Sequence, residues 1–348
     1  MTDFIAALPT VATPVDCASF SKTVAPYFHQ LSLSHLLPLL RGEIAPKEWY
    51  LATNPAITAI LFALFISLVV FVSAEINRNF SQVDRLWSIL PAVYTGHFAL
   101  WSHLHGIESE RVDTLAMLVA LWSARLTFNY WRKGGYQIGA EDYRWEVLRE
   151  RIPAGIVWTI FDLGFVALFQ NLVLVGITMP AYVLMLTSRL PDATAGNDFI
   201  DTIFSRGLVI VLLIETLADQ QQWAFQQAKK SYKETGKVPE KFLKEDLDRG
   251  FVVSGLWSFC RHPNFLCEQT IWFGIYQWAC FRTDTMFNWS GLGAVAYWGI
   301  FQASTNFTES ISAGKYPEYR EYQALVNKFV PGLKALKGRD DEKPVKKE

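Results

Sequence analysis

The chain has 348 residues and a net charge of −1; it is 51% hydrophobic and 15% aromatic, with 13 Trp and only 19% charged residues. That is too apolar and aromatic for an average soluble domain, and the apolar residues come in blocks long enough to span a bilayer. There is no basic, aromatic-interleaved patch to mark a nucleic-acid footprint, and Cys17, Cys260, Cys267 and Cys280 form neither a CxxC pair nor a zinc spacing, so no disulfide framework is expected.

Residues 1–50 read as an N-terminal extension, partly interfacial, with Pro, Ser and Thr scattered through it. No basic segment precedes a continuous apolar one there, so no cleaved signal peptide is expected. Residues 31–40 suit a short interfacial helix. Residues 56–74 are the clearest transmembrane helix. Residues 86–104, with Pro91 inside, make the second crossing, and residues 113–131, with Arg125 inside, the third. The loop 132–151 is rich in Arg and Lys.

The apolar block 152–186 permits one tilted, kinked helix or two short ones. The next loop, 187–197, carries one Arg and so belongs opposite the basic loop before the block. That parity predicts one long helix, kinked near Pro180. Residues 199–225, 265–281 and 291–307 complete the set, and the loop 226–262 is again basic. The expected fold is all-α: a polytopic bundle of about seven transmembrane helices over residues 51–333, followed by a disordered charged tail, 334–348. The N-terminus lies outside and the C-terminus in the cytosol, in the endoplasmic reticulum if the cell is eukaryotic.

Several polar groups sit where lipid would penalise them. Glu215, Asp219, Gln222 and Gln226 are spaced i, i+4, i+7, i+11 and form one stripe on a helix. A surface stripe explains the glutamines. Glu215 follows the apolar run 209–214, and a charge inside a membrane costs roughly 2.5–3.5 kcal/mol, so it should face a polar cavity. Arg261, His262 and Asn264 stand at the mouth of another apolar run that contains Glu268. If Pro263 opens a helix, where its missing N–H costs nothing, Asn264 and Glu268 share a face.

Arg125 lies mid-helix, with Asn129, Arg132 and Lys133 after it; it should face the bundle and pair with a carboxylate or a phosphate. A purely structural ion pair is the alternative. Asp84 suits either an N-cap or a cavity carboxylate. Glu309, Lys315, Tyr316, Tyr319, Arg320 and Tyr322 suit either an aromatic belt with snorkelling cations or a phosphate and adenine pocket. His103 and His105 read as interfacial histidines, and no metal site is expected. There is no Walker loop, nucleophile elbow or HExxH, so chemistry here calls for a bound cofactor.

In combination these blocks resemble a known family. Asp84-Arg-Leu-Trp-Ser-Ile-Leu-Pro91, Arg144-Trp145, Glu215-Thr-Leu-Ala-Asp219-Gln, Gly255-Leu-Trp257, Arg261-His-Pro-Asn264 with Glu268, and Tyr316-Pro-Glu-Tyr319-Arg-Glu-Tyr322 ending in Phe329-Val-Pro331 are similar to the DUF1295 family, within the steroid 5-alpha-reductase C-terminal-domain superfamily. The resemblance covers roughly residues 56–333. It implies a seven-helix membrane fold and NADPH-dependent reduction of a carbon–carbon double bond in a sterol-like or other lipid substrate. It also implies that Asn264 and Glu268 border the nicotinamide, with Arg261 and His262 beside them. Glu215 and Asp219 then bind the ribose or pyrophosphate region, Arg125, Lys133 and Arg261 face phosphates, and Tyr316 and Tyr319 close the adenosine end.

Two residues depart from the pattern. Phe265 replaces the motif's usual Tyr. Trp122 takes the place of a third-helix Tyr that polarises the substrate carbonyl in steroid reductases; Trp donates one hydrogen bond but is no acid. Asp84, if protonated by burial, is the substitute acid. Isoprenylcysteine carboxyl methyltransferases share an RHP-type motif but bind S-adenosylmethionine, so a methyltransferase is one alternative. A non-catalytic protein on the same scaffold is another.

Overall fold

A computed structural model describes residues 7–193 and 196–332; the expected tail, 334–348, lies outside them. Of the described residues 73% are helical, and none lies in a strand. Seven long helices carry it. They are α1 (Pro55–Asn77), α2 (Leu90–Leu104), α3 (Glu110–Arg132), α4 (Ile156–Thr187), α5 (Phe199–Thr235), α6 (Pro263–Arg282) and α7 (Leu292–Lys315). Every apolar block of the sequence overlaps one of them. By length and composition α1 and α4 are able to cross a membrane.

The described residues fall into two compact units. The first holds the chain up to Leu208 with Trp272–Tyr297; the second holds Val209–Ile271 with the residues from Trp298 on.

In the first unit, α1 is started by Asn54. Its side chain accepts from the Ala56 N–H at 3.0 Å and donates to the Ala7 carbonyl and the Tyr182 hydroxyl, each at 3.1 Å. A buried amide that meets three partners both caps the helix and ties it to distant chain. Pro91 falls in the first turn of α2, where a proline removes no helical hydrogen bond. The α4 run is not uniform. Residues Asp162–Phe169 are π-helical, and Ile177–Thr178 interrupt the helix just before Met179–Thr187, whose second residue is Pro180.

The π-helical stretch packs along α1. Val70, Ala74, Phe80, Trp145, Trp158 and Val166 form a buried cluster there. At Gly176 and Gly293, α4 and α7 touch backbone to backbone: a Cβ on Gly293 would sit 2.0 Å from the Gly176 carbonyl carbon. Elsewhere in this unit Asp201, fully buried, gathers the Arg111 guanidinium at 2.8 and 3.0 Å and the Trp278 and Arg282 N–H groups at 2.7 and 2.8 Å.

In the second unit, Trp257 packs with Phe225, Ala228, Leu247 and Val252, and Tyr319 and Tyr322 pack on Phe251, Val253 and Val326.

Candidate functional site

The segment that leads into α6 is hung on α5. Gly255 adopts φ +64°, where a side chain is strained, and an added Cβ would lie 2.6 Å from the Gln221 amide and displace it. Gln221 Oε1 then accepts the Leu256 N–H at 2.9 Å, and the Trp257 indole donates to the Ala218 carbonyl at 3.2 Å. Pro263 opens α6 one residue after His262.

Arg261 and His262 turn to one carboxylate. Glu309, on α7 beyond its apolar stretch, takes the Arg261 Nε and Nη2 donors at 2.7 and 3.1 Å, His262 Nε2 at 2.8 Å and Gln323 Nε2 at 2.9 Å. The third guanidinium nitrogen donates to the carbonyls of Gln323 and Val326. The backbone N–H groups of Arg261 and His262 reach the Asn327 and Lys328 carbonyls at 2.9 and 3.2 Å. All three side chains are buried. Burial pushes the Glu309 carboxyl up, but the hydrogen bonds from His262, Arg261 and Gln323 outweigh it and hold it at about 2. Arg261 was expected to face a phosphate; four of its five N–H donors instead go to Glu309 and to the carbonyls of Gln323 and Val326, which pins the chain after α7 to the start of α6. Glu309 was expected at an aromatic belt or a phosphate and adenine pocket, not as the counter-ion of Arg261. A carboxylate two residues past an apolar run calls for a cation, and that was the available signal.

One turn on, Asn264 donates through Nδ2 to Asp219 Oδ1 at 3.1 Å, so the two motif blocks meet. Asn264 Oδ1 and Gln222 Oε1 are buried without a hydrogen-bond donor. Glu215 and Glu268 are also buried, at 2% and 4% exposure. Phe265 lies edge-on to Phe301, with ring centroids 4.9 Å apart. The second unit therefore concentrates Glu215, Asp219, Gln222, Asn264 and Glu268 on facing stretches of two helices.

Tyr316 lies over Gly250 and beside Lys229, whose ammonium donates to the Gly250 carbonyl at 2.8 Å and stands 5.6 Å from the Tyr316 ring centre. Tyr319 is buried in the aromatic cluster on Phe251, and burial pushes its hydroxyl well above the usual phenol range. Lys229 belongs to this end as much as the two tyrosines do.

The first unit holds the other predicted residues. Asp84 is the third residue of the short helix Gln82–Leu86, which Ser81 precedes, so it is no N-cap. Its Oδ2 accepts the Trp145 indole N–H at 2.8 Å, and burial raises its carboxyl above the ordinary value despite the nearby Arg144. Trp122 is buried edge-on to Trp272, 5.1 Å between ring centres. Arg125 is half-buried on α3, and Lys133, which ends that helix, is exposed. His105 uses both ring nitrogens on carbonyls, at 3.0 and 3.1 Å, and His103 pairs with Asp113 at 2.9 Å.

These features define an all-helical protein with two helices able to cross a membrane and a partly buried cluster of acids and amides at the entrance to α6. The model of the family described as protein of unknown function (DUF1295) matches residues 70–326. The chain belongs to the DUF1295 family. It is 38% identical over 332 residues to an uncharacterized protein of Schizosaccharomyces pombe, covering 94% of this chain and 93% of that protein. No solved structure matches.

Proposed function

We propose that this protein is an integral-membrane oxidoreductase that uses NADPH to reduce a carbon–carbon double bond of a sterol-like or other lipid substrate. The observation that carries the reading is the pair of buried amide oxygens, Asn264 Oδ1 and Gln222 Oε1, left without donors beside buried carboxylates. A buried acceptor without a donor is costly and calls for an explanation. Ribose hydroxyls and a carboxamide NH2 group are donors of the kind that such acceptors take. The residues thus fit a nicotinamide nucleotide, which when bound supplies a hydride.

Asn264, Gln222, Asp219, Glu215 and Glu268 are the binding groups in this reading. Lys229 and Tyr316, with Tyr319 beneath, provide charge and aromatic surface for the phosphate and adenosine end. Arg261, His262 and Glu309 are positioning residues: they fix the backbone from which Asn264 projects. Arg125 and Lys133 remain candidates for phosphate contact on the family resemblance. Asp84 and Trp122 remain candidates for polarising a substrate carbonyl on the same ground, Asp84 as the acid that burial biases toward its protonated form.

The fold is proposed as seven membrane crossings, with the N-terminus outside, the C-terminus in the cytosol and, in a eukaryotic cell, an endoplasmic-reticulum location. Besides α1 and α4, several helices show large apolar side chains to the exterior: Met117, Leu121 and Phe128 on α3, and Ile210, Leu213 and Leu217 on α5. Exposed apolar faces of that extent suit lipid.

The test is a thermal-shift series on the full chain in detergent with NADPH, NADH and S-adenosylmethionine, since a ligand that binds the native state stabilises it. NADPH should raise the melting temperature, and Asn264→Ala should abolish that shift. A shift with S-adenosylmethionine alone, or with no ligand, overturns the reading.

A further inference from the structure

We propose that the chain carries a second binding site, for the phosphate group of an anionic membrane lipid, in the cavity where the end of α1 meets the start of α4. The cavity measures about 390 Å³ and is lined by Arg78, Phe80, Arg149, Gly155, Trp158 and Thr159 among others. Arg78 is the residue that ends α1, and Gly155 the one that precedes α4. The cavity therefore lies at the same end of the two helices that are apolar enough to cross a membrane.

Its only ionisable lining residues are the two arginines. Each is steadied from behind. Arg78 Nη1 contacts Glu75 Oε2 at 2.5 Å. Arg149 forks onto Glu141 at 2.5 and 3.3 Å and lies over the Phe80 ring, 5.6 Å from its centre. Glu141 is held in turn by the Phe80 N–H at 2.8 Å. The Arg78 side chain is 70% exposed, and its contact with Glu75 occupies one of its several N–H donors. Two guanidiniums oriented this way suit a phosphate, whose oxygens accept paired N–H groups. Nothing lies within 4 Å of the point where a Cβ would stand on Gly155, so the mouth is open.

The surroundings choose the source of the phosphate. Ile76, Ile156 and Ile160 stand exposed on the adjoining turns of α1 and α4. A free phosphate ion leaves them in water, whereas a phospholipid covers them with its acyl chains. The basic loops place this end on the cytosolic side, where the leaflet carries anionic lipid. The proposal rests on α1 and α4 crossing the membrane, and not on the reductase reading.

The test is native mass spectrometry of the full chain in detergent micelles, titrated with phosphatidylserine, phosphatidylcholine and inorganic phosphate. Phosphatidylserine should bind roughly tenfold more tightly than phosphatidylcholine: both carry the phosphate, but the choline ammonium of the second cancels its charge and is repelled by the N–H edges the two arginines keep beyond their carboxylate contacts. Inorganic phosphate at millimolar concentration should not displace it. Arg78→Gln, at an exposed side chain, and Ala154→Glu, which sets a carboxylate at an exposed residue that also lines the cavity, should each remove the preference without lowering the melting temperature. Equal binding of the two lipids, a preference that survives both variants, or displacement by inorganic phosphate overturns the proposal. Alkaline carbonate extraction of native membranes, run in parallel, reports separately on the membrane reading: release without detergent sinks that reading, whereas the micelle titration reports on the site.

Discussion

Glu309 accepts hydrogen bonds from three side chains, so its ionisation is tied to the fold. Its carboxyl sits at about 2, below the ordinary 4.5, chiefly because His262, Arg261 and Gln323 more than offset its burial. A depressed carboxyl stabilises the folded chain above the unfolded value, and that contribution is lost as pH falls from 4.5 toward 2. Melting temperature in detergent should drop across that window, and Glu309→Gln should flatten the drop while lowering stability at neutral pH. Removing one partner of a buried pair leaves the Arg261 charge uncompensated and costs about 3–5 kcal/mol. The Arg-His-Pro-Asn stretch was legible in the sequence as a polar mouth. Its counter-ion was not, because Glu309 lies 48 residues away and no local periodicity connects the two. The Asp219–Asn264 contact was more accessible, since both sit on helical stripes that lipid alone would disfavour.

Helix α4 shows what apolar patterning does and does not encode. Its length and hydropathy mark it as one membrane-spanning run, and Pro180 marks a break; the interruption falls at Ile177–Thr178. The π-helical stretch Asp162–Phe169 is invisible to the same reading, because a continuous apolar run has no stripe from which to measure the turn. Nor does the pattern reveal that Gly176 meets Gly293, two glycines that allow α4 and α7 to touch at the backbone. Gly293→Ala should force the helices apart and destabilise the protein by about 1–3 kcal/mol, the usual range for overpacking, read as a lower melting temperature. Asp201 joins α3, α5 and α6 in the same unit. Asp201→Asn halves the acceptor set for the buried Arg111 guanidinium and the half-buried Arg282, and a loss of about 3–5 kcal/mol is expected from the same denaturation measurement.

At the scale of the molecule, charge segregation is what the sequence expresses most directly. Basic residues crowd into the stretches 132–151 and 226–262, expected as loops but partly helical (α5 runs on to Thr235, and Tyr143–Arg151 is a helix), and the intervening helices show apolar faces outward. The four native cysteines are buried, so single introduced cysteines can report topology. In sealed, cytosol-side-out vesicles Lys237→Cys should react with a membrane-impermeant maleimide, and Met286→Cys should react only after permeabilisation. Identical labelling at both positions excludes the seven-crossing arrangement.

The pinning of Arg261 also bears on the order in which the protein is made. Its partners at Glu309, Gln323, Val326 and Asn327 all leave the ribosome after it. The entrance to α6 is therefore made before its acceptors exist, and its hydrogen bonds are completed only once the chain beyond α7 has emerged. A chain that ends before residue 309 leaves that charge without its carboxylate, and one that ends before 323 still lacks the backbone carbonyls of Gln323 and Val326.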